Sequence, residues 1–131
     1  MDIEEIAKHV VDAVYSVHVE LGPGLLESTY ETCLEHELIR RGLKVKRQLA
    51  QAVAYKGLDI DAGYRLDLLV EDSIILELKS VEQLLPIHQA QLLTYLKLSG
   101  KPLGFLVNFN VTLIKQGIRR LIHTSKNFPP S

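Results

Sequence analysis

The chain has 131 residues, of which 47% are hydrophobic and 24% charged, and its formal net charge is −1. This composition predicts one globular domain over residues 1–131 and excludes a disordered chain. A membrane protein is excluded because no apolar run approaches about 18 residues. A disulfide-rich secreted protein is excluded because the N-terminus does not resemble a leader peptide and Cys33 is the single cysteine. We therefore expect a cytoplasmic protein.

The N-terminal part of the chain predicts two amphipathic helices. Apolar residues recur at helical spacing over Ile3–Leu21, and the Gly-Pro-Gly sequence at residues 22–24 ends that helix because proline cannot continue it. A second helix is expected over residues 26–41. Cys33 falls on an apolar position of this helix, which favours a buried structural thiol over a nucleophile.

After residue 42 the pattern becomes that of an α/β domain. Strand-like stretches, either alternating or continuously apolar, cover residues 45–55, 64–70, 74–79, 103–109 and 118–122. A polar loop at residues 71–73 joins the strands at 64–70 and 74–79. A helix is expected over residues 84–98, and residues 123–131 are typical of a loose tail. The order predicts a central mixed sheet flanked by helices.

Glu77 and Lys79 project from one face of the strand at residues 74–79, because side chains alternate along a strand. An acid and a base in this spacing are common, and a surface strand explains them equally well. However, this strand is central in the predicted order, where both faces are usually covered, and a covered charged pair needs a partner.

Asp67 lies on the preceding strand, and its position depends on the loop. If residues 71–73 form a three-residue loop, Asp67 lies opposite Glu77 on the same face, whereas a two-residue loop would pair it with Leu76. Two carboxylates placed opposite each other repel by roughly 4 kcal/mol at an effective dielectric near 20. A proton or a divalent cation must offset that repulsion, and all-oxygen ligands favour Mg²⁺ or Mn²⁺.

Other polar residues have two interpretations each. His88, Gln91 and Tyr95 form one stripe on the helix at residues 84–98, which either faces solvent or closes over the acidic site; His88 could instead cap the first turn. Glu27 lies in the first turn of the second helix, where an acid favours the helix dipole without any further role. Tyr30 fits a core position with a hydrogen-bonded hydroxyl better than a catalytic one.

The net charge hides an uneven distribution along the chain. Residues 1–39 hold nine acids and one base, residues 40–58 six bases and no acid, residues 59–82 seven acids and two bases, and residues 83–131 six bases and no acid. Such blocks are typical of solvated faces, but they also suit a metal-dependent enzyme that acts on a polyanion. The densest run, named here the basic segment, contains Arg40, Arg41, Lys44, Lys46 and Arg47.

Several of the polar residues described above match the motifs of a known family. The string Gly24-x-x-Glu27-x-x-Tyr30 resembles the motif of the GxxExxY protein family, which looks like a branch of the PD-(D/E)XK nuclease superfamily. The remaining motifs of that superfamily are matched in order by Asp67, by Glu77-x-Lys79 and by Gln91-x-x-x-Tyr95. The likeness covers roughly residues 3–122 and departs from the pattern in lacking a proline before Asp67.

The resemblance implies a restriction-endonuclease-like core, α-β-β-β-α-β, preceded by an extra N-terminal helix. It implies that a divalent metal, Mg²⁺ or Mn²⁺, is bound by Asp67, Glu77 and the Leu78 carbonyl, with Glu27 as a third acid. Lys79 would orient or deprotonate the attacking water and stabilise charge on the phosphate. The candidate substrate-positioning residues are Gln91, Tyr95, His88 and Tyr30.

Two hypotheses remain after these steps. The first is a metal-dependent nuclease that hydrolyses DNA or RNA, with the basic segment binding the phosphate backbone. The alternative is a catalytically silent nucleic-acid-binding or assembly protein on the same fold, since a small domain without a separate recognition module suits a homodimer or a protein partner. A small-molecule hydrolase is less suitable because it leaves the basic segment unexplained.

Overall fold

A computed structural model of the protein describes residues 1–124. In chain order its elements are α1 (Ile3–Leu21), α2 (Glu27–Arg40), β1 (Val45–Ala50), β2 (Val53–Tyr55), β3 (Leu58–Ile60), β4 (Arg65–Val70), β5 (Ile74–Lys79), α3 (Pro86–Ser99), β6 (Leu103–Asn108), a 3₁₀ turn (Ile114–Gly117) and β7 (Ile118–Ile122). The predicted loose tail begins at residue 123, and residues 125–131 of it lie outside the described residues. Within residues 1–124, no helix is both long enough and apolar enough to cross a membrane.

Five strands form one mixed sheet in the order β1-β4-β5-β6-β7. Strands β5 and β6 run parallel, and the other neighbours are antiparallel. Helices α1 and α2 cover one face, where Val14 and Leu34 pack with Leu76 and Leu78. Helix α3 covers the other face through a second core that includes Leu92. The predicted α/β fold with a central mixed sheet is confirmed, and β5 is its central strand.

The loop between α1 and α2 is fixed by one tyrosine. The hydroxyl of Tyr30 donates to the Gly22 carbonyl at 2.6 Å and accepts from the Leu25 amide at 3.1 Å. The ring is fully buried and stacks on Phe109 with 4.3 Å between ring centroids. Tyr30 therefore connects the glycine-rich loop, helix α2 and the end of β6.

The stretch predicted as one strand over residues 45–55 is divided in the structure. Strand β1 joins the main sheet, whereas β2 pairs with β3 in a separate two-stranded hairpin. The Lys56-Gly57 turn connects the two, with φ angles of 47° and 86° that suit a tight hairpin turn. Strand β3 was not predicted because all three of its residues are exposed and show no burial pattern.

The hairpin of β4 and β5 has the register that brings the two predicted acids together. Its pairs run from Val70–Ile74 to Leu68–Leu76, so residues 71–73 form a three-residue loop. The next positions along the ladder are Asp67 and Glu77, where regular pairing ends. The three-residue loop considered from the sequence is confirmed, and the two-residue alternative is wrong.

Candidate active site

Asp67 and Glu77 lie together where β4 and β5 stop pairing. The Asp67 amide donates to Glu77 Oε1 at 3.2 Å, and the Leu78 amide donates to Asp67 Oδ2 at 2.8 Å. The two side chains thus accept hydrogen bonds from backbone amides at the point where the ladder ends. Glu77 is 5% exposed and Asp67 is half-buried. The structure therefore brings the two predicted carboxyl groups into one partly closed place.

The surroundings of the pair disfavour two negative charges. Burial, followed by the charge of Asp67, raises the pKa of Glu77 to about 8. Burial also raises the pKa of Asp67, although the hydrogen bond from the Leu78 amide opposes that effect. Without a cation, Glu77 consequently keeps its proton at neutral pH. An ion of charge +2 beside the pair would stabilise both carboxylates against their burial and mutual repulsion, so the pair is suited to bind one.

Lys79 and the Leu78 peptide complete the end of β5. Lys79 is half-buried and projects from the same face of the strand as Glu77, and its positive charge opposes the raised pKa of both carboxyl groups. The Lys79 carbonyl accepts from the Phe109 amide at 3.0 Å and so faces β6. The Leu78 amide faces Asp67 instead, and its carbonyl points the same way because both groups of a strand residue share a direction.

Glu31 is a functional candidate that sequence reasoning missed. It is 7% exposed, and its two carboxylate oxygens accept from Arg47 Nε and from Gln48 Nε2, each at 2.6 Å. The Glu31 charge is one of the causes that raise the pKa of Asp67. The signal was present in the sequence, because an acid directly after Tyr30 lies on the apolar side of α2, where a charged residue needs a partner.

Gln48 connects this third acid to the pair on the strands. Its amide nitrogen donates to Glu31 at 2.6 Å and also lies 3.4 Å from Asp67 Oδ1. Gln48 has a φ of 51°, in the left-handed region that is uncommon for a residue other than glycine. The ladder between β1 and β4 skips this residue and continues from Arg47–Leu68 to Leu49–Leu66. At this irregular point of the backbone, the side-chain amide of Gln48 lies between Glu31 and Asp67.

Glu27 does not join the acids on the strands. It is exposed in the first turn of α2, one helical turn before Glu31. Within residues 1–124 no group of three or more His, Cys, Asp or Glu side chains is placed to hold a metal ion. The predicted set of Asp67, Glu77 and Glu27 is therefore not assembled among these residues, and the Glu27 side chain faces solvent.

The predicted stripe on α3 divides into two parts. Tyr95 is 7% exposed and packs in the α3 core, where burial and then the charge of Glu77 raise the pKa of its hydroxyl. Gln91 is exposed beside it. His88 Nδ1 accepts from the Leu85 amide at 3.0 Å, so this histidine caps the first turn of α3, the second role considered for it.

The basic segment is partly engaged within the fold. Arg47 forms ion pairs with Glu31 at 2.6 Å and with Glu35 at 3.7 Å, and Arg41 forms one with Glu37 at 3.5 Å. Arg47 thus supports Glu31, a role that the sequence did not indicate. The exposed members of the segment are Arg40, Lys44 and Lys46.

One comparison with known proteins gave a result, and it agrees with this geometry. A family model described as the PD-(D/E)XK nuclease superfamily matches residues 4–121. No curated protein and no solved structure matches the chain. A mixed five-stranded sheet with helices on both faces is consistent with a restriction-endonuclease-like fold, and the superfamily suggests a nuclease-type function on nucleic acid, generally with divalent metals. The match covers most of the chain, which therefore belongs to the PD-(D/E)XK nuclease superfamily.

Proposed function

We propose that the protein is a divalent-metal-dependent nuclease that hydrolyses phosphodiester bonds in DNA, with Asp67, Glu77 and Lys79 at its centre. The observation that carries the proposal is the buried carboxyl pair, in which the pKa of Glu77 is raised to about 8. Burying Glu77 beside the half-buried Asp67 opposes folding, and a purely structural role would provide no compensating stabilisation. A site that holds a cation explains the same arrangement.

The oxygen atoms at this end of β5 fit a hard cation. Asp67, Glu77 and the Leu78 carbonyl would hold Mg²⁺ or Mn²⁺, with water molecules as the remaining ligands. When bound, such an ion lowers the pKa of a water molecule and neutralises charge on a phosphate. Glu31 would support the site without binding the ion, since its two oxygens accept from Arg47 and Gln48, and Gln48 in turn reaches Asp67.

Each protein group has a distinct part in the proposed reaction. The Leu78 and Gln48 hydrogen bonds orient the Asp67 carboxylate before substrate binds. Lys79, on the face that it shares with Glu77, would donate a hydrogen bond to the attacking water or to a phosphate oxygen as negative charge develops. Gln91 and Tyr95, which border the same face, would position the substrate.

Metal removal provides the direct test of this function. Purified protein is incubated with duplex, single-stranded and branched DNA and with RNA, in Mn²⁺ or Mg²⁺ and in EDTA. We expect cleavage with either cation and none in EDTA, because the acids need a cation before a phosphate can approach them. Titration calorimetry with Mn²⁺ measures binding of the ion independently of turnover.

Two outcomes would contradict the proposal. Cleavage that persists in EDTA would show that the carboxyl pair does not act through a cation. Binding of DNA without any calorimetric binding of Mn²⁺ would instead support the alternative, a catalytically silent nucleic-acid-binding or assembly protein.

The exposed part of the basic segment gives a prediction on salt dependence. Replacing Lys44 and Lys46 with glutamine should lower the slope of log affinity against log salt for DNA by between about one and two, because each phosphate contact releases a counterion. Fluorescence anisotropy with a labelled duplex over a salt series measures the slope. Replacing Lys8 and Lys115, which are also exposed, should leave it unchanged. An unchanged slope in the Lys44 and Lys46 variant would show that the segment is only a solvated face.

A further inference from the structure

A groove adjoins the acidic site on the α3 side of the sheet. It encloses about 420 Å³, with Gln91, Thr94 and Tyr95 of α3 on one wall and Tyr64 and Val53 on the other. Its size falls in the range of sites for small organic groups and is too small for a nucleic-acid helix. Nothing in the reaction described above uses the outer wall of this groove.

The groove is linked to the proposed reaction centre through Tyr95. Tyr95 lines it and also packs in one core with Leu66 and Ile75. Leu66 directly precedes Asp67, and Ile75 lies two residues before Glu77 on the same face of β5. Tyr95 therefore belongs both to the groove and to the surroundings of the acidic pair, and the charges of Glu77 and Asp67 act on its hydroxyl.

The outer wall offers an aromatic ring to an incoming group. Tyr64 is 45% exposed, and its ring meets that of Tyr95 at 60° with 6.4 Å between centroids, so the two rings do not stack on each other. Arg65 is exposed next to it, and its guanidinium donates to the Tyr64 carbonyl at 3.0 Å. An exposed ring beside a cation is the combination that binds a base and its neighbouring phosphate.

We propose that this groove receives one unpaired nucleobase of the substrate, stacked on Tyr64, so that the strand is single at the point of cleavage. A base within a duplex is stacked on both sides and cannot present its face to a side chain, whereas an unpaired base can. The Gln91 amide and the Thr94 hydroxyl supply donors and acceptors for the edge of the base. This inference rests on the proposed nuclease function, because it takes the scissile phosphate to lie at the Asp67–Glu77 pair.

Binding without turnover tests the inference. In an Asp67→Asn background, Tyr64→Ala should weaken binding of a 12-nucleotide single strand about tenfold, the effect expected for one lost stacking contact. Tyr64→Phe should stay within about twofold of the parent because the ring is retained. Fluorescence anisotropy measures the affinity, and a strand containing 2-aminopurine should be quenched by the Asp67→Asn protein but not by its Tyr64→Ala derivative.

The matched control is Tyr15→Ala, on α1 at the other face of the sheet, which is 38% exposed and should leave the affinity for the single strand unchanged. A blunt duplex should bind the Tyr64→Ala derivative as well as its parent. Equal loss for duplex and single strand, or no loss for either, would overturn the inference while leaving cleavage by the wild-type protein intact. Conversely, selective loss of single-strand binding in a protein that never cleaves would support the groove and contradict the proposed nuclease function.

Discussion

Replacing Asp67 with asparagine is expected to reduce the rate of DNA cleavage by about 10³-fold, because a metal-binding charge contributes several kcal/mol to the transition state. The substitution keeps the shape of the side chain. It also keeps an oxygen that can accept from the Leu78 amide, which in the wild type donates to Asp67 Oδ2 at 2.8 Å. It removes the negative charge that the cation requires. The variant should therefore fold normally and fail in turnover.

Single-turnover cleavage of a labelled strand in Mn²⁺ measures this effect, and circular dichroism checks that the variant is folded. The control is Asp72→Asn, in the loop of the same hairpin, where the side chain is 74% exposed and pairs with Lys101. That variant should cleave at the wild-type rate. If Asp67→Asn retained more than about a tenth of the activity, the acidic pair would not be the reaction centre.

The core of the fold could be predicted because its elements follow hydrophobic periodicity. Strand β5 was predicted at its observed bounds, and the register of the β4–β5 hairpin followed from the length of one loop. The hairpin of β2 and β3 could not be predicted in the same way. Its strands have three residues each and little buried surface, so only the Lys56-Gly57 turn marked it.

The two acids on β4 and β5 could be predicted from the sequence, whereas the buried acid on α2, Glu31, was not. Alternation along β4 and β5, together with the three-residue loop between them, predicts that Asp67 lies beside Glu77. Glu27 and Glu31 lie one turn apart on α2, and only the tertiary fold shows that Glu31 is buried beside Gln48 while Glu27 is exposed. The positive φ of Gln48 is also a product of the tertiary fold, because glutamine has no intrinsic preference for that conformation.

The stability of the metal-free protein should fall as pH rises from about 5 to 8. The pKa of Glu77 is near 4.5 in an unfolded chain and about 8 in the folded protein, so between these values the folded state holds a proton that the unfolded state has released. Raising the pH then favours unfolding, by up to about 1.4 kcal/mol per pH unit. The raised pKa of Asp67 acts in the same direction. Over the whole interval the loss should be on the order of 3 kcal/mol.

Glu77→Gln separates this effect from other titrations, because glutamine has the shape of the protonated acid and never ionises. In EDTA the variant should equal the wild type near pH 5 and be more stable near pH 8, as measured by urea denaturation across the interval. The exposed control Glu82→Gln should follow the wild type throughout. Adding Mn²⁺ at pH 8 should stabilise the wild type and the control but not Glu77→Gln, since only an ionised pair binds the cation. If the difference in stability between Glu77→Gln and the wild type did not grow toward pH 8, Glu77 would be charged without a metal, and the electrostatic reason for placing a cation there would be removed.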